Sequence, residues 1–113
     1  MKNSEIKFNI QLDEKNLPKT IKWDASDKES EGMEDTKSIS LNVWDSVNHS
    51  TLRIDLWTEE MSVVEMKRFY IDVLGGMAQT ILNSTGDEYM SEEIKELCDR
   101  LVRHVNAENQ KKS

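Results

Sequence analysis

The chain has 113 residues, of which 22 are acidic and 15 are basic, so its formal net charge is −7. This length suits one domain with its own hydrophobic core, and the acidic balance argues against binding to duplex nucleic acid or to an anionic membrane. A single cysteine excludes an intramolecular disulfide and, with only two histidines, a structural zinc site. We find no signal segment and no run of about 20 apolar residues, so we expect a cytoplasmic protein without membrane insertion.

Two strands are predicted at the start of the chain. Apolar and polar residues alternate over residues 6–12, and a second alternating run opens at Leu17-Pro18 and continues through Ile21, Trp23 and Ala25, which is the period of a strand with one buried face. The DEKNLP segment between them is typical of a turn. Pro18 suits the first position of a strand because it has no amide to donate to a ladder. The sequence therefore predicts a hairpin.

Residues 24–37, DASDKESEGMEDTK, are acidic and polar with almost nothing apolar except Met33. Such a segment cannot contribute much to a core, so we expect a mobile acidic loop. A calcium loop is excluded by its spacing, since Lys28 and Glu29 stand where an oxygen ligand and a glycine are needed.

The stretch from Trp44 to Thr58 predicts a second hairpin with two different faces. Ile39, Leu41, Val43, Leu52, Ile54 and Leu56 fall on one face by strand alternation. Four other side chains fall on the opposite face and are our candidate protein-binding residues: Trp44, Arg53, Asp55 and Trp57. Exposed tryptophans are costly in water and frequent at interface hot spots. Two alternatives remain open, burial of this face within the chain and an interface, most simply that of a homodimer.

Two helices are predicted in the second half. Ser62 and Glu65 form a capping box, so the first helix should start at Val63 and stop within residues 83–86. Gly75 and Gly76 inside it predict a tight crossing with another element, with a hinge as the alternative. The second helix should start at Ser91, and its C-terminal tail, about residues 107–113, should fray.

Together these elements predict an α+β fold. We expect a single domain over residues 1–113 with a four-stranded, mostly antiparallel sheet of two hairpins, followed by two C-terminal helices packed on one face of the sheet.

The residue pattern contains no arrangement that is typical of a catalytic or cofactor-binding site. His49 and His104 lack partners at ligand spacing, and Cys98 lies on the apolar stripe of the last helix. We therefore predict no catalytic residue, no cofactor and no metal site, and a protein that is not an enzyme.

The sequence resembles the GldC family, gliding-motility-associated proteins of Bacteroidetes. The resemblance is carried by Trp44-Asp45-Ser46, by TLRIDLWT at residues 51–58, by Met61 and by Glu65-Met66-Lys67. It extends over most of the chain, including the opening EIKFNIQLDE and Met90-Ser91, while Ser62 and Val63 depart from a Pro-containing helix start. The resemblance implies a small cytoplasmic accessory protein of the gliding machinery, which is tied to the type IX secretion system, and it implies no reaction.

Two functions are consistent with these observations. The first is an adaptor that binds itself or a motility or secretion component through the Trp44, Arg53, Asp55 and Trp57 face. The alternative is a chaperone-like protein that shields a secretion or motility client, which rests on analogy with other small acidic proteins.

Overall fold

The computed structural model describes residues 2–111, which form two compact units that divide between Met61 and Ser62. The first unit contains five antiparallel strands and the second contains two helices, so the α+β class is confirmed. The predicted single four-stranded sheet is wrong, because one sheet has three strands and the other has two. Alternation in sequence predicts strands and local hairpins, but it does not specify whether two hairpins join edge to edge.

The three-stranded sheet has the predicted first hairpin as its main part. Its strands are β1 (Ile6–Leu12), β2 (Pro18–Ala25) and β3 (Glu34–Thr36), with β2 in the centre. The β1–β2 register places Ile10 opposite Ile21 and Phe8 opposite Trp23. Ile21 is 1% exposed, so it anchors the small core of this unit.

The second hairpin forms a two-stranded ribbon of β4 (Ser38–Asp45) and β5 (Ser50–Trp57). Its register runs from Ser38 opposite Trp57 at the base to Asp45 opposite Ser50 at the tip. Directly paired residues share a face, so the predicted division into an aliphatic face and an opposite face is confirmed. We refer to this hairpin as the ribbon.

The acidic segment contains a strand and a buried lysine that the sequence pattern did not indicate. The Lys28 side chain is only 5% exposed, and its ammonium lies 3.5 Å from the Asp24 carboxylate and 3.3 Å from that of Glu34. It also donates a short hydrogen bond to the Gly32 carbonyl and lies 5.5 Å from the centroid of the Trp23 ring. Lys28 thereby joins β2, the loop and β3 through one cation.

We expect Lys28→Met to lower the free energy of unfolding of the strand unit by about 1–2 kcal/mol, because two carboxylates and a carbonyl lose their shared donor. The effect stays modest since both carboxylates are about 40% exposed and keep water contact. Urea unfolding followed by Trp fluorescence measures it. Lys22→Met, which changes an exposed lysine of β2, is the matched control, and an equal loss in both variants would contradict the role of Lys28.

The first helix, α1 (Val63–Thr85), begins at the predicted residue. The Ser62 hydroxyl accepts from the Glu65 amide at 3.1 Å, and the Glu65 carboxylate accepts from the Ser62 amide at 3.4 Å. This is the predicted capping box. The helix ends at Thr85 and is capped by Gly86, whose φ of 73° is left-handed and whose amide donates to the Leu82 carbonyl.

The second helix, α2 (Glu88–Lys111), begins three residues before the predicted start. The cause is the carboxylate of Asp87, which accepts from the Met90 amide at 3.0 Å and so caps the helix earlier than Ser91 would. The helix continues through residues 107–111. The fraying predicted for this segment stays a prediction. Residues 112 and 113 of that predicted tail lie outside the described residues.

The two helices are in contact at Ala78 and Ser91, which are 0% and 1% exposed. The Ser91 hydroxyl donates to the Ala78 carbonyl at 2.9 Å across the helix pair. The predicted tight crossing at Gly75 and Gly76 is wrong, because a Cβ built at either glycine meets no atom within 4 Å. The small residue of α1 at the contact with α2 is Ala78, and the two glycines are not part of that contact.

Three predictions on domain organisation are not tested by these observations. They are the single domain over residues 1–113, the mobility of residues 24–37, and the packing of the helices on one face of a sheet.

Candidate functional site

Four side chains of the ribbon, Trp44, Arg53, Asp55 and Trp57, form what we call the Trp face. Their order from base to tip is Trp57, Asp55, Arg53 and Trp44, and the last of these pairs with Thr51. Because Thr51 and Trp57 are six residues apart on one strand, the two tryptophans are separated by about 20 Å. They mark the two ends of the face and leave the charged pair between them.

Both tryptophans of the Trp face keep most of their surface in solvent. Trp44 is 60% exposed and Trp57 is 52% exposed. The Trp44 ring contacts the His49 ring edge-on, with centroids 6.4 Å apart, and this contact covers only part of it. Large aromatic rings that stay exposed in the free protein are typical anchors of a protein interface.

The centre of the Trp face is an ion pair. Arg53 Nη2 lies 3.1 Å from Asp55 Oδ2 and 3.4 Å from Oδ1, and both side chains point to the same face because they are two residues apart. The Ser40 hydroxyl opposite, together with Arg53, lowers the pKa of the Asp55 carboxyl. Arg53 is 54% exposed, so its remaining N–H donors can reach a carboxylate or carbonyl of a partner.

The aliphatic face of the ribbon is buried only near its base. Ile39 is 7% exposed, whereas Val43, Leu52 and Ile54 are each more than half exposed.

The tip of the ribbon is held by Asp45, at the end of β4. Its carboxylate accepts from the Asn48 and Val47 amides at 3.2 and 2.9 Å and from the Asn48 side-chain amide at 2.9 Å. The bonds from Asn48 and then from Val47 lower the pKa of the Asp45 carboxyl. His49 completes the loop with a φ of 51°. The tip that carries Trp44 is therefore ordered by local hydrogen bonds.

We expect the stability of this tip to fall in acid. The pKa of Asp45 is lower in the folded than in the unfolded chain, where it is about 3.9, so the stabilisation is complete above that pH and is lost as the pH falls through the folded-state pKa. Asp45→Asn removes the titration but keeps an acceptor. The difference in melting temperature between the wild type and this variant should shrink from pH 7 to about pH 2.5, and a constant difference would contradict the prediction.

A cleft of about 330 Å³ lies at the base of the Trp face. Asp55, Leu56 and Trp57 of β5 form one side. Residues 16–18, from the β1–β2 turn and the first residue of β2, form the other, and Glu59 also lines the cleft. Sequence reasoning did not identify Leu17 and Glu59 as site residues. Leu17 was the one signal in the sequence, because it is an apolar residue inside a polar turn. The sequence did not show that this turn lies beside β5, which is distant along the chain.

Other chemistry-bearing residues stay apart from this site. The Cys98 thiol lies against α1, 3.8 Å from the Ile71 carbonyl, and His104 pairs with Glu108 on α2. Within residues 2–111, no three His, Cys, Asp or Glu side chains are grouped to hold a metal ion. Neither helix of this part of the chain combines the length and apolar character needed to cross a membrane.

Comparison with known protein families gives a match. The family described as gliding motility-associated protein GldC-like matches residues 18–107, which cover most of the chain and all of the ribbon. No curated protein and no solved structure matches the chain.

Proposed function

Because the chain belongs to the GldC-like family of gliding motility-associated proteins, we propose that it is a non-enzymatic adaptor of the gliding apparatus. It acts in the cytoplasm by binding a protein partner through the Trp face. The partner is a component of the motility machinery or of the type IX secretion system to which that machinery is tied. A homodimer through the same face is the simplest competing use of these residues.

The observation that carries this proposal is the exposure of both tryptophans on an ordered ribbon. Trp44 and Trp57 are 60% and 52% exposed although hydrogen bonds fix the tip and the ladder fixes the base. An interface that buries both rings would gain their apolar area at little conformational cost, since the strands are already ordered. The Arg53–Asp55 pair between them adds electrostatic selectivity.

A chaperone-like role is the second candidate, and one observation favours it. Val43, Leu52 and Ile54 expose an aliphatic patch on the other face of the ribbon, and such patches can bind unfolded apolar segments. The two roles use opposite faces of the ribbon, so substitutions on each face separate them.

The proposal is tested in a gliding bacterium whose chromosomal gene for this protein is replaced by one that encodes the double variant Trp44→Ala, Arg53→Glu. We expect colony spreading to fall while the amount of protein is unchanged. The matched control is Tyr89→Ala, Lys22→Glu, which also removes an exposed aromatic ring and reverses one positive charge, but away from the ribbon. Normal spreading of the first variant, or an equal loss in both, would overturn the proposal.

A further inference from the structure

The cleft at the base of the Trp face carries an inference about the kind of partner. We propose that it binds an extended segment of a partner protein in which an apolar side chain stands beside a lysine or arginine. The inference rests on the proposed function in assuming a protein partner, and it specifies what that partner presents.

The apolar part of the cleft is formed by large side chains that are exposed without a ligand. Leu17 is 48% exposed and Trp57 is 52% exposed, and Pro18 and Leu56 complete this lining. A volume of about 330 Å³ is at the small end of ligand pockets and accommodates one or two apolar side chains. The cleft therefore suits an apolar anchor residue.

The turn that forms one side of the cleft is fixed before any ligand arrives. The Asp13 carboxylate accepts from the Lys15 amide at 2.8 Å and from the Leu17 amide at 3.0 Å, and the Asp13 amide donates to the Leu17 carbonyl at 2.8 Å. Asn16 has the left-handed φ of 64° that this turn requires. A preordered wall lowers the entropic cost of binding.

The rim of the cleft is acidic, which selects the charge of the ligand. Glu59 lines the cleft and continues into an adjoining cavity of about 150 Å³ that Asp13, Lys19 and Glu60 also line. Asp55 lines the cleft as well, but its carboxylate is already paired with Arg53. The structure gives Glu59 and Glu60 no hydrogen bond or ion pair with any residue from 2 to 111. With the net charge of −7, this rim attracts a cation and repels a second copy of the chain.

One further feature favours an extended peptide. β5 pairs only with β4 in its sheet, so within residues 2–111 one of its edges has no ladder partner and can accept an added strand.

The test is selection of a displayed library of random 12-residue peptides on the purified protein. Enriched peptides should share an apolar residue next to Lys or Arg, and the synthetic peptide of the most enriched sequence should bind in fluorescence anisotropy. Leu17→Ser and Glu59→Lys should each weaken this binding by about tenfold or more. Leu52→Ser and Glu29→Lys change the same residue types outside the cleft and should not weaken it.

A second readout locates the peptide. The chain has three tryptophans, so a proton–nitrogen correlation spectrum shows three indole signals, which Trp→Phe variants assign. The peptide should shift the Trp57 signal and leave those of Trp23 and Trp44 in place. This readout holds even if Leu17→Ser fails to fold.

Three results would overturn the inference: no enrichment, enriched peptides without a basic residue, or binding that is insensitive to both cleft variants. A dimer that dissociates on Leu17→Ser would also overturn it in favour of a second copy. If Trp44→Ala, Arg53→Glu abolishes spreading while the cleft variants bind normally, the inference fails and the proposed function stands.

Discussion

Substitution of Ala78 by Leu is expected to force α1 and α2 apart and to lower the free energy of unfolding of the helical unit by about 2–4 kcal/mol. Ala78 is fully buried, and its carbonyl accepts the hydroxyl of buried Ser91 at 2.9 Å. A larger side chain has no space to occupy at this contact. The separation also leaves the Ser91 hydroxyl without its acceptor.

Urea unfolding followed by circular dichroism at 222 nm measures this loss. Ala107→Leu is the matched control, because Ala107 lies on α2 with an exposed side chain and should change stability by about 0.5 kcal/mol or less. An unchanged midpoint for the Ala78 variant would show that the helices do not meet at this residue.

The double variant Trp44→Ala, Trp57→Ala is expected to lose its partner while it stays folded. Truncation of one hot-spot tryptophan costs about 2 kcal/mol of binding free energy, or roughly thirtyfold in affinity. The two rings are about 20 Å apart, so their contributions should add and give a loss of about a thousandfold. Because both rings are more than half exposed, the unfolding free energy should change far less than the binding free energy.

Co-purification of tagged variants from gliding cells, quantified by mass spectrometry against the wild type, measures this effect. Val43→Ala, Leu52→Ala is the control, since it removes exposed apolar side chains from the opposite face of the same ribbon. A partner that is lost only from the control variant would assign binding to the aliphatic face and favour the chaperone-like role.

Local signals in the sequence predicted much of this structure. Strand alternation correctly assigned the two faces of the ribbon, because the period of two is a property of the strand itself. The capping box of Ser62 and Glu65 predicted the first residue of α1, since all of its bonds lie within four residues.

Features that depend on contacts between distant residues were not predicted. β3 has three polar residues and no alternation, and it forms because β2 offers a free edge and Lys28 joins the loop to both strands. Gly75 and Gly76 suggested a helix crossing that occurs instead at Ala78 and Ser91. Ser91 lies on the apolar stripe of α2, and that spacing was the signal for the true contact.

The cleft illustrates the same limit at the candidate site. Leu17 and Trp57 are 40 residues apart in sequence and are brought together only by the arrangement of the β1–β2 turn and β5. The Trp face, by contrast, lies on one hairpin and was recognisable from its pattern. Its role in protein binding stays a prediction.

The most direct test of binding through the Trp face is site-specific photo-crosslinking in gliding cells. A photoreactive phenylalanine analogue is placed at Thr51, which lies on the Trp face opposite Trp44, or at Leu52, which lies on the other face. We predict that the probe at Thr51 crosslinks to a motility or secretion protein and that Trp57→Ala abolishes the product. Crosslinks from Leu52 alone, or none from Thr51, would contradict binding through the Trp face.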